Sequence, residues 1–144
     1  MGTSGRYNIA FNRRGADQVN KTSTTEPNFD QQASTPSVHV DDNATVVVTY
    51  CDVRNNTPDT ASLDTDYFAV SCGSASEKCA NPASWEEERV TPQSFHIRNA
   101  PLARGYFLGD YMGLANVGND FVSAFGSTVG GGPSSIFFSR LSPP

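Results

Sequence analysis

Short runs of β-branched and aromatic residues, separated by polar turns rich in Gly, Pro, Asn and Asp, restrict the fold of this chain more than any other feature. Runs of this kind are typical of strands in a sandwich, a barrel or a propeller. Phe, Tyr, Val and Thr are common, whereas Leu and Lys are scarce, and this balance favours strands and turns over helices. We therefore expect an all-β fold without a convincing helix.

The middle of the chain predicts a four-stranded antiparallel meander. Residues 37–50 (SVHVDDNATVVVTY) form a hairpin pattern, because Asp42-Asn43 tolerates positive φ between two β-branched runs. Asp66–Cys72 and Trp85–Thr91 predict two further strands, separated by a loop that contains two cysteines. These four strands would make one complete unit.

A second meander is predicted in the C-terminal part. It begins with Asp110–Val117, turns at Gly118-Asn119, runs through Asp120–Gly126 and resumes at Ser135–Arg140 after a Gly-rich loop. This unit therefore contains three strands.

The N-terminal part predicts one more strand, at Arg6–Arg14, followed by a polar stretch over 15–36 that reads as loop, with at most one edge strand. Strands at 6–14, 66–72 and 134–140 occupy like positions about 60 to 68 residues apart, as expected if each is the third strand of a four-stranded unit. The predicted division is a partial unit and loop at 1–35, a full unit at 36–92 and a second unit at 93–144.

The three cysteines leave open whether the chain contains a disulfide. Cys72 and Cys79 lie in a short polar loop that can bring them within bonding distance, and two free thiols are the alternative. The C-x-x-C spacing of a zinc site is absent. Cys51 ends an apolar strand and is interpreted as a small buried hydrophobe rather than a nucleophile.

Charge and hydropathy argue against two classes of partner. The formal net charge is -5, and no Lys/Arg stripe offsets it, so nucleic acid is not expected as a ligand. No apolar run approaches the roughly 20 residues needed to span a bilayer, and the N-terminal residues lack the apolar stretch of a signal peptide. No membrane association is therefore predicted.

Four segments carry a resemblance to a known family: YCDVRN at 50–55, DTDY at 64–67, RVTPQSF at 89–95 and RGYFLGDYMGL at 104–114. Together they resemble the C-terminal portion of a secreted bacterial sialidase-like β-propeller of the BNR (Asp-box) kind. The family's box, Ser-x-Asp-x-Gly-x-Thr-Trp, is degraded here: Ser71 and Trp85 can mark its ends, but its Asp, Gly and Thr are missing. The resemblance implies a secreted or extracytoplasmic location for the full-length relative.

The resemblance also implies about two propeller blades, which cannot close a ring, because propellers usually have four to eight blades. A homotrimer that closes a six-bladed propeller is the favoured expectation. The alternatives are a piece of a longer polypeptide and a small monomeric sandwich or barrel.

A sialidase of this kind holds a carboxylate with three arginines, uses a tyrosine nucleophile paired with a glutamate, and employs an aspartate as acid/base, as an oxocarbenium-like transition state requires. By this resemblance the candidate substrate-binding residues are Arg54, Arg98, Arg104 and Tyr106, and the candidate catalytic residues are Asp52, Asp110 and Tyr111. Tyr106 is also an alternative nucleophile. The sequence leaves open which cofactor or metal, if any, the chain binds.

Two functions follow as hypotheses. One is a hydrolase that acts on glycosides or other anionic esters at the propeller mouth. The other is a non-catalytic, self-assembling propeller module that binds carbohydrate, a small anionic ligand or protein.

Several candidates also have a structural interpretation. Asp52 and Arg54 alternate at a strand end and can form an ion pair, and Asp110 can fix a turn by accepting backbone N–H bonds. The triplet Glu86-Glu87-Glu88 reads as a solvated edge strand.

The sequence offers two sets of candidate metal ligands. One places His39 and His96 together across a subunit boundary. The other places Asp59, Asp64 and Asp66 in a loop as calcium ligands, although their spacing matches no defined calcium loop.

Overall fold

A computed structural model describes residues 10–11, 17–18, 33–57, 61, 63–73, 79 and 81–143 of the chain. Its ten strands are β1 (Ala10–Phe11), β2 (Asp17–Gln18), β3 (Ala33–Val40), β4 (Val46–Asp52), β5 (Asp64–Cys72), β6 (Glu86–Arg89), β7 (Phe95–His96), β8 (Gly113–Val117), β9 (Asp120–Ser127) and β10 (Ser135–Leu141). Three 3-10 turns, Pro82–Ser84, Ile97–Asn99 and Val129–Gly131, are the helical elements of this described part. The all-β prediction is confirmed.

Two antiparallel sheets dominate the structure. The first sheet has the order β3-β4-β5-β6, and β7 pairs with the remaining end of β5. The second sheet has the order β10-β9-β8, and β1 pairs separately with β2. Both meanders therefore have the strand order that the sequence predicts. In each of them the predicted third strand, β5 or β10, is third in its sheet.

The two central strands of the first sheet are buried on both faces. Their side chains alternate between two apolar layers, which explains why β4 reads as the nearly continuous apolar run VVVTYC. The inner layer, between the two sheets, contains Val47 and Ala69 packed against Phe121 and Leu141. The outer layer, on the far side of the first sheet, contains residues of β4 and β5 together with Trp85.

Aromatic and polar contacts join the two sheets. The ring of Tyr67 on β5 stacks on Phe125 of β9, with 4.1 Å between the ring centroids. The Tyr67 hydroxyl lies 2.7 Å from Thr49 Oγ1 and 2.8 Å from Ser123 Oγ, so its polar end has partners although it is buried. These contacts fix how the sheets face each other.

The predicted first hairpin forms, with two corrections. β3 begins at Ala33, inside the stretch predicted to be a loop, and a register shift between Ser34 and Ser37 interrupts its pairing with β4. The positive φ of the turn lies at Ala44 rather than at Asp42-Asn43. Asp41 explains the difference: its Oδ1 accepts hydrogen bonds from the backbone N–H groups of residues 43 and 45, and its carbonyl accepts from the Ala44 N–H, so the turn extends to Ala44.

Other strand limits differ by a few residues. The strand predicted at Asp110–Val117 begins only at Gly113, and the strand predicted at Trp85–Thr91 is limited to β6. Of the strand predicted at Arg6–Arg14, β1 is present and the other positions lie outside the described residues. The loop predicted over 15–36 contains β2 as well as the start of β3.

Candidate functional site

Asp52 and Arg54, two candidate residues, form an ion pair at the end of β4. Arg54 Nη2 donates to Asp52 Oδ2 over 2.9 Å, and the Arg54 backbone N–H donates to Asp52 Oδ1 over 2.6 Å. The Asp52 side chain is fully buried. The pair therefore forms the ion pair that its structural interpretation expects, and burial leaves Asp52 without direct access to a substrate.

Glu87 joins the same cluster, although its triplet was interpreted as solvated. Its Oε2 accepts from Arg54 Nη1 over 2.7 Å, and its Oε1 accepts from the Tyr50 hydroxyl. Burial, and then the hydrogen bond to Glu87, raise the pKa of Tyr50. The pairing of β5 with β6 explains the correction: Glu87 lies opposite Val70 on the outer layer, whereas Glu86 and Glu88 lie on the other side and are exposed.

Asp66 forms a second buried cluster next to the first, since it pairs with Asp52 across β4 and β5. Four side chains donate to its carboxylate: Arg89 over 2.6 and 3.0 Å, Asn55 over 2.7 Å, Thr91 over 2.9 Å and Ser94 over 3.0 Å. Asp66 was considered a loop ligand for calcium, but it lies on β5 as a saturated acceptor. We interpret both clusters as structural, because protein donors occupy their carboxylates.

The segment 101–112 contains four more of the candidate residues, and these are exposed rather than buried. Its first part is a tight reversal: an isolated bridge joins Leu102 to Tyr106, and the Phe107 N–H donates to the Pro101 carbonyl over 2.9 Å. Arg104 lies at the tip with a φ of 64°, which is uncommon for a residue with a side chain. Backbone outliers of this kind are concentrated at functional sites.

Aromatic side chains project from this segment into solvent. Tyr111 is 92% exposed, Tyr106 is 41% exposed and Phe107 is 39% exposed. The guanidinium of Arg98, in the preceding 3-10 turn, lies 5.9 Å from the centroid of the Tyr106 ring. Asp110 and Arg104 are also exposed. Together, Arg98, Arg104, Tyr106, Phe107, Asp110 and Tyr111 define what we call the aromatic loop.

The base of the aromatic loop is anchored to both sheets. Met112, next to Tyr111, is buried in the core between the sheets, and its carbonyl accepts a 2.5 Å hydrogen bond from Ser37 Oγ of β3. The Leu108 carbonyl crosses so close to Gly126 of β9 that an added Cβ at that glycine would lie 2.6 Å away from it. The exposed rings are therefore carried by backbone with little freedom to move.

The predicted site residues thus divide into two groups. One group belongs to the aromatic loop and consists of Arg98, Arg104, Tyr106, Asp110 and Tyr111. The other group, Asp52 and Arg54, belongs to the buried clusters. Sequence reasoning missed Phe107, which has no motif beyond its place in an aromatic run, and it missed the Asp66 cluster.

The two histidines have protein partners. His39 Nε2 lies 2.8 Å from Asn116 Oδ1, and His96 of β7 pairs through Nδ1 with Asp64 over 2.7 Å. Asp59, of the proposed calcium set, lies outside the described residues. Within residues 33–57, 63–73 and 81–143 no three His, Cys, Asp or Glu residues are grouped as metal ligands.

Two of the three cysteines form a disulfide bond. Cys72 and Cys79 are joined by a disulfide, which selects one of the two alternatives left open by the sequence. Trp85 Nε1 donates to the Cys79 carbonyl over 3.0 Å, so the bridge and the indole together tie Cys79 to the end of β5 and to the residue before β6. Cys51 is free and buried, as predicted.

No protein family, no curated protein and no solved structure matches this chain. Among the residues that the structure describes, no helix has the length and apolar character needed to cross a membrane. Function is therefore inferred from the geometry of the aromatic loop and from the resemblance carried by the sequence.

Proposed function

We propose that this chain is a non-catalytic carbohydrate-binding module of the sialidase-like β-propeller kind, and that its ligand binds at the aromatic loop. The observation that supports the proposal is Tyr111, a ring 92% exposed to water on backbone anchored by its buried neighbour Met112. Exposed apolar groups rimmed by polar residues typically mark ligand sites. A pyranose ring offers a flat C–H face for such an aromatic surface, with hydroxyls at its edge.

Two arginines suggest the class of carbohydrate. Arg104 is exposed at the tip of the loop, and Arg98 places its guanidinium near the Tyr106 ring. A guanidinium presents a planar set of donors that matches a carboxylate, and it also stacks on aromatic faces. We therefore propose acidic sugars, with a carboxylate on the ring, as the preferred ligands.

A hydrolase acting on glycosides or other anionic esters is the second candidate, because Asp110 and Tyr111 are adjacent and exposed. Glycoside hydrolysis usually requires a second carboxyl group near the scissile bond. Asp52, the other candidate carboxylate, is fully buried and paired with Arg54. Binding without turnover is the simpler proposal.

The first test measures the binding of monovalent oligosaccharides to the protein. The readout is titration calorimetry or the change in NMR shifts of the loop residues. The panel contains sialylated, uronic-acid and neutral oligosaccharides. We expect the acidic members to bind better than the neutral ones, and Tyr111→Ala to weaken binding about tenfold or more, since one aromatic contact contributes on the order of 1.5 kcal/mol.

Phe138→Thr is the matched control, because it removes another exposed aromatic ring outside the loop and should leave binding unchanged. Equal loss in both variants, or no binding to any member of the panel, would overturn the proposal. Turnover of fluorogenic glycosides that is lost in a folded Asp110→Asn variant would favour the hydrolase instead.

A further inference from the structure

The outer face of the second sheet is apolar, and it is open to solvent except at Gly126, where the Leu108 carbonyl crosses it. Alternation along β8, β9 and β10 directs one set of side chains to the core and the other set away from it. The outward set is Gly113, Ala115, Val117, Asp120, Val122, Ala124, Gly126, Ile136, Phe138 and Arg140, of which Gly126 is buried beneath the Leu108 carbonyl. Ile136 is 76% exposed, Phe138 70% and Val117 63%. Three large apolar side chains in water on one face are unusual for a sheet that folds only against its own core.

The charges on this outer face cancel. Arg140 of β10 pairs with Asp120 at the start of β9, and Ser142 Oγ also donates to Asp120 over 2.7 Å. The chain as a whole has a formal net charge of -5, so two copies repel each other on average. The outer face is locally neutral, and a second copy meets no uncompensated charge there.

The adjoining edge is also open. β10 pairs with β9 and with no other described strand, whereas its counterpart β5 is paired on both sides. Edge strands are usually protected by charged residues, proline or bulges. The single charge on β10, Arg140, is already paired with Asp120.

The far face of the first sheet, in contrast, is covered over its two central strands and exposes apolar side chains at its β3 edge. Val48, Tyr50 and Val70 of its outer layer are at most 1% exposed, and its large exposed apolar residues are Val38 and Val40 of β3. A head-to-tail ring needs two different open faces on each copy, but a two-fold dimer needs only one self-complementary face.

We propose that the outer face of the second sheet, centred on Phe138 and Ile136, binds the same face of a second copy of this chain in a two-fold dimer. The inference is independent of carbohydrate binding, because it uses no residue of the aromatic loop. Three strands of about seven residues give a flat footprint of about 340 Å². Stable interfaces bury about 800 Å² on each partner, so the dimer is weak and its formation depends on concentration.

The test is sedimentation equilibrium of the full chain over roughly 10 to 500 µM, the range in which a weak dimer dissociates. We expect the mass to rise from one chain toward two. Phe138→Thr and Ile136→Thr keep residues suited to strands and should each shift the midpoint at least tenfold higher. Val38→Thr, on the other sheet, is the control and should change nothing.

Each other outcome contradicts the proposal. A monomer throughout, or a dimer insensitive to both variants, would show that a second copy does not bind this face. A three-chain mass weakened by both Phe138→Thr and Val38→Thr would indicate the head-to-tail ring. The circular dichroism spectrum establishes that the variants are folded, and if Phe138→Thr fails this check, Ile136→Thr alone decides.

Discussion

Two arginine–aspartate pairs show how burial decides how much a residue contributes to stability. Arg89 pairs with Asp66, whose side chain is fully buried and receives three further donors. Arg140 pairs with Asp120 at the surface, and the Arg140 side chain is largely exposed. An exposed pair contributes little because water solvates both partners, whereas a buried carboxylate depends on its protein donors.

Arg89→Met should therefore lower the free energy of unfolding by about 1.5–3 kcal/mol, the range for hydrogen bonds to a charged group. Arg140→Met, the same substitution at the surface pair, should have a much smaller effect. Urea denaturation of both variants followed by fluorescence measures the difference. Equal destabilisation of the two variants would contradict the importance assigned to the Asp66 cluster.

At the scale of elements, the position of the aromatic loop depends on a glycine of β9. The Leu108 carbonyl occupies the space that a Cβ at residue 126 would need, at 2.6 Å. Gly113 on the neighbouring β8 has more room, since an added Cβ would meet the Ala124 side chain at an ordinary 3.5 Å. The two glycines share one face of the sheet but differ in what crosses above them.

Gly126→Ala should displace the loop backbone and lower the free energy of unfolding by about 1–3 kcal/mol, as overpacking does. Gly113→Ala is the matched control, and we expect a change of less than about 1 kcal/mol. Denaturant unfolding measures stability, and amide exchange across residues 101–112 reports the loop. Unchanged exchange in a folded Gly126→Ala variant would show that the contact does not position the loop.

At the scale of the whole molecule, packing of the two sheets buries Cys51 with Tyr67, Met112 and Phe125. Burial raises the pKa of the Cys51 thiol to about 11, from an ordinary value of 9.0. At a pH above 9.0 the unfolded chain releases the Cys51 thiol proton, while the native protein retains it up to a pH of about 11. The native state then binds more protons, so its stability falls as the pH rises between these two values.

We expect the free energy of unfolding to fall by at most about 1.4 kcal/mol per pH unit from this group between pH 9 and 11. Cys51→Ala removes the titrating thiol and should make the slope shallower, although its stability at neutral pH is lower because of the cavity. Denaturant unfolding at several pH values measures both slopes. Parallel slopes in the two proteins would contradict the linkage to Cys51.

Local pattern alone determined the fold class and the strand order of both meanders. Alternating β-branched and aromatic residues with turn signals between them specify strands through interactions between near neighbours. The same local information places Arg104, Tyr106, Asp110 and Tyr111 in one segment. It does not predict that Ala44, rather than Asp42-Asn43, adopts positive φ, because that depends on the side chain of Asp41.

Only the tertiary structure decided which face of each strand is buried and what covers it. Glu87 and Asp66 read as solvated or loop acids, yet pairing with distant strands brings both to Arg54 and Arg89 in the buried clusters. The strand predicted at Ser135–Arg140 forms, but its sequence does not show that Ile136 and Phe138 remain in water on an outer face. The physical reason is that register is set across the sheet, and a shift of one residue exchanges the inward and outward sets of side chains.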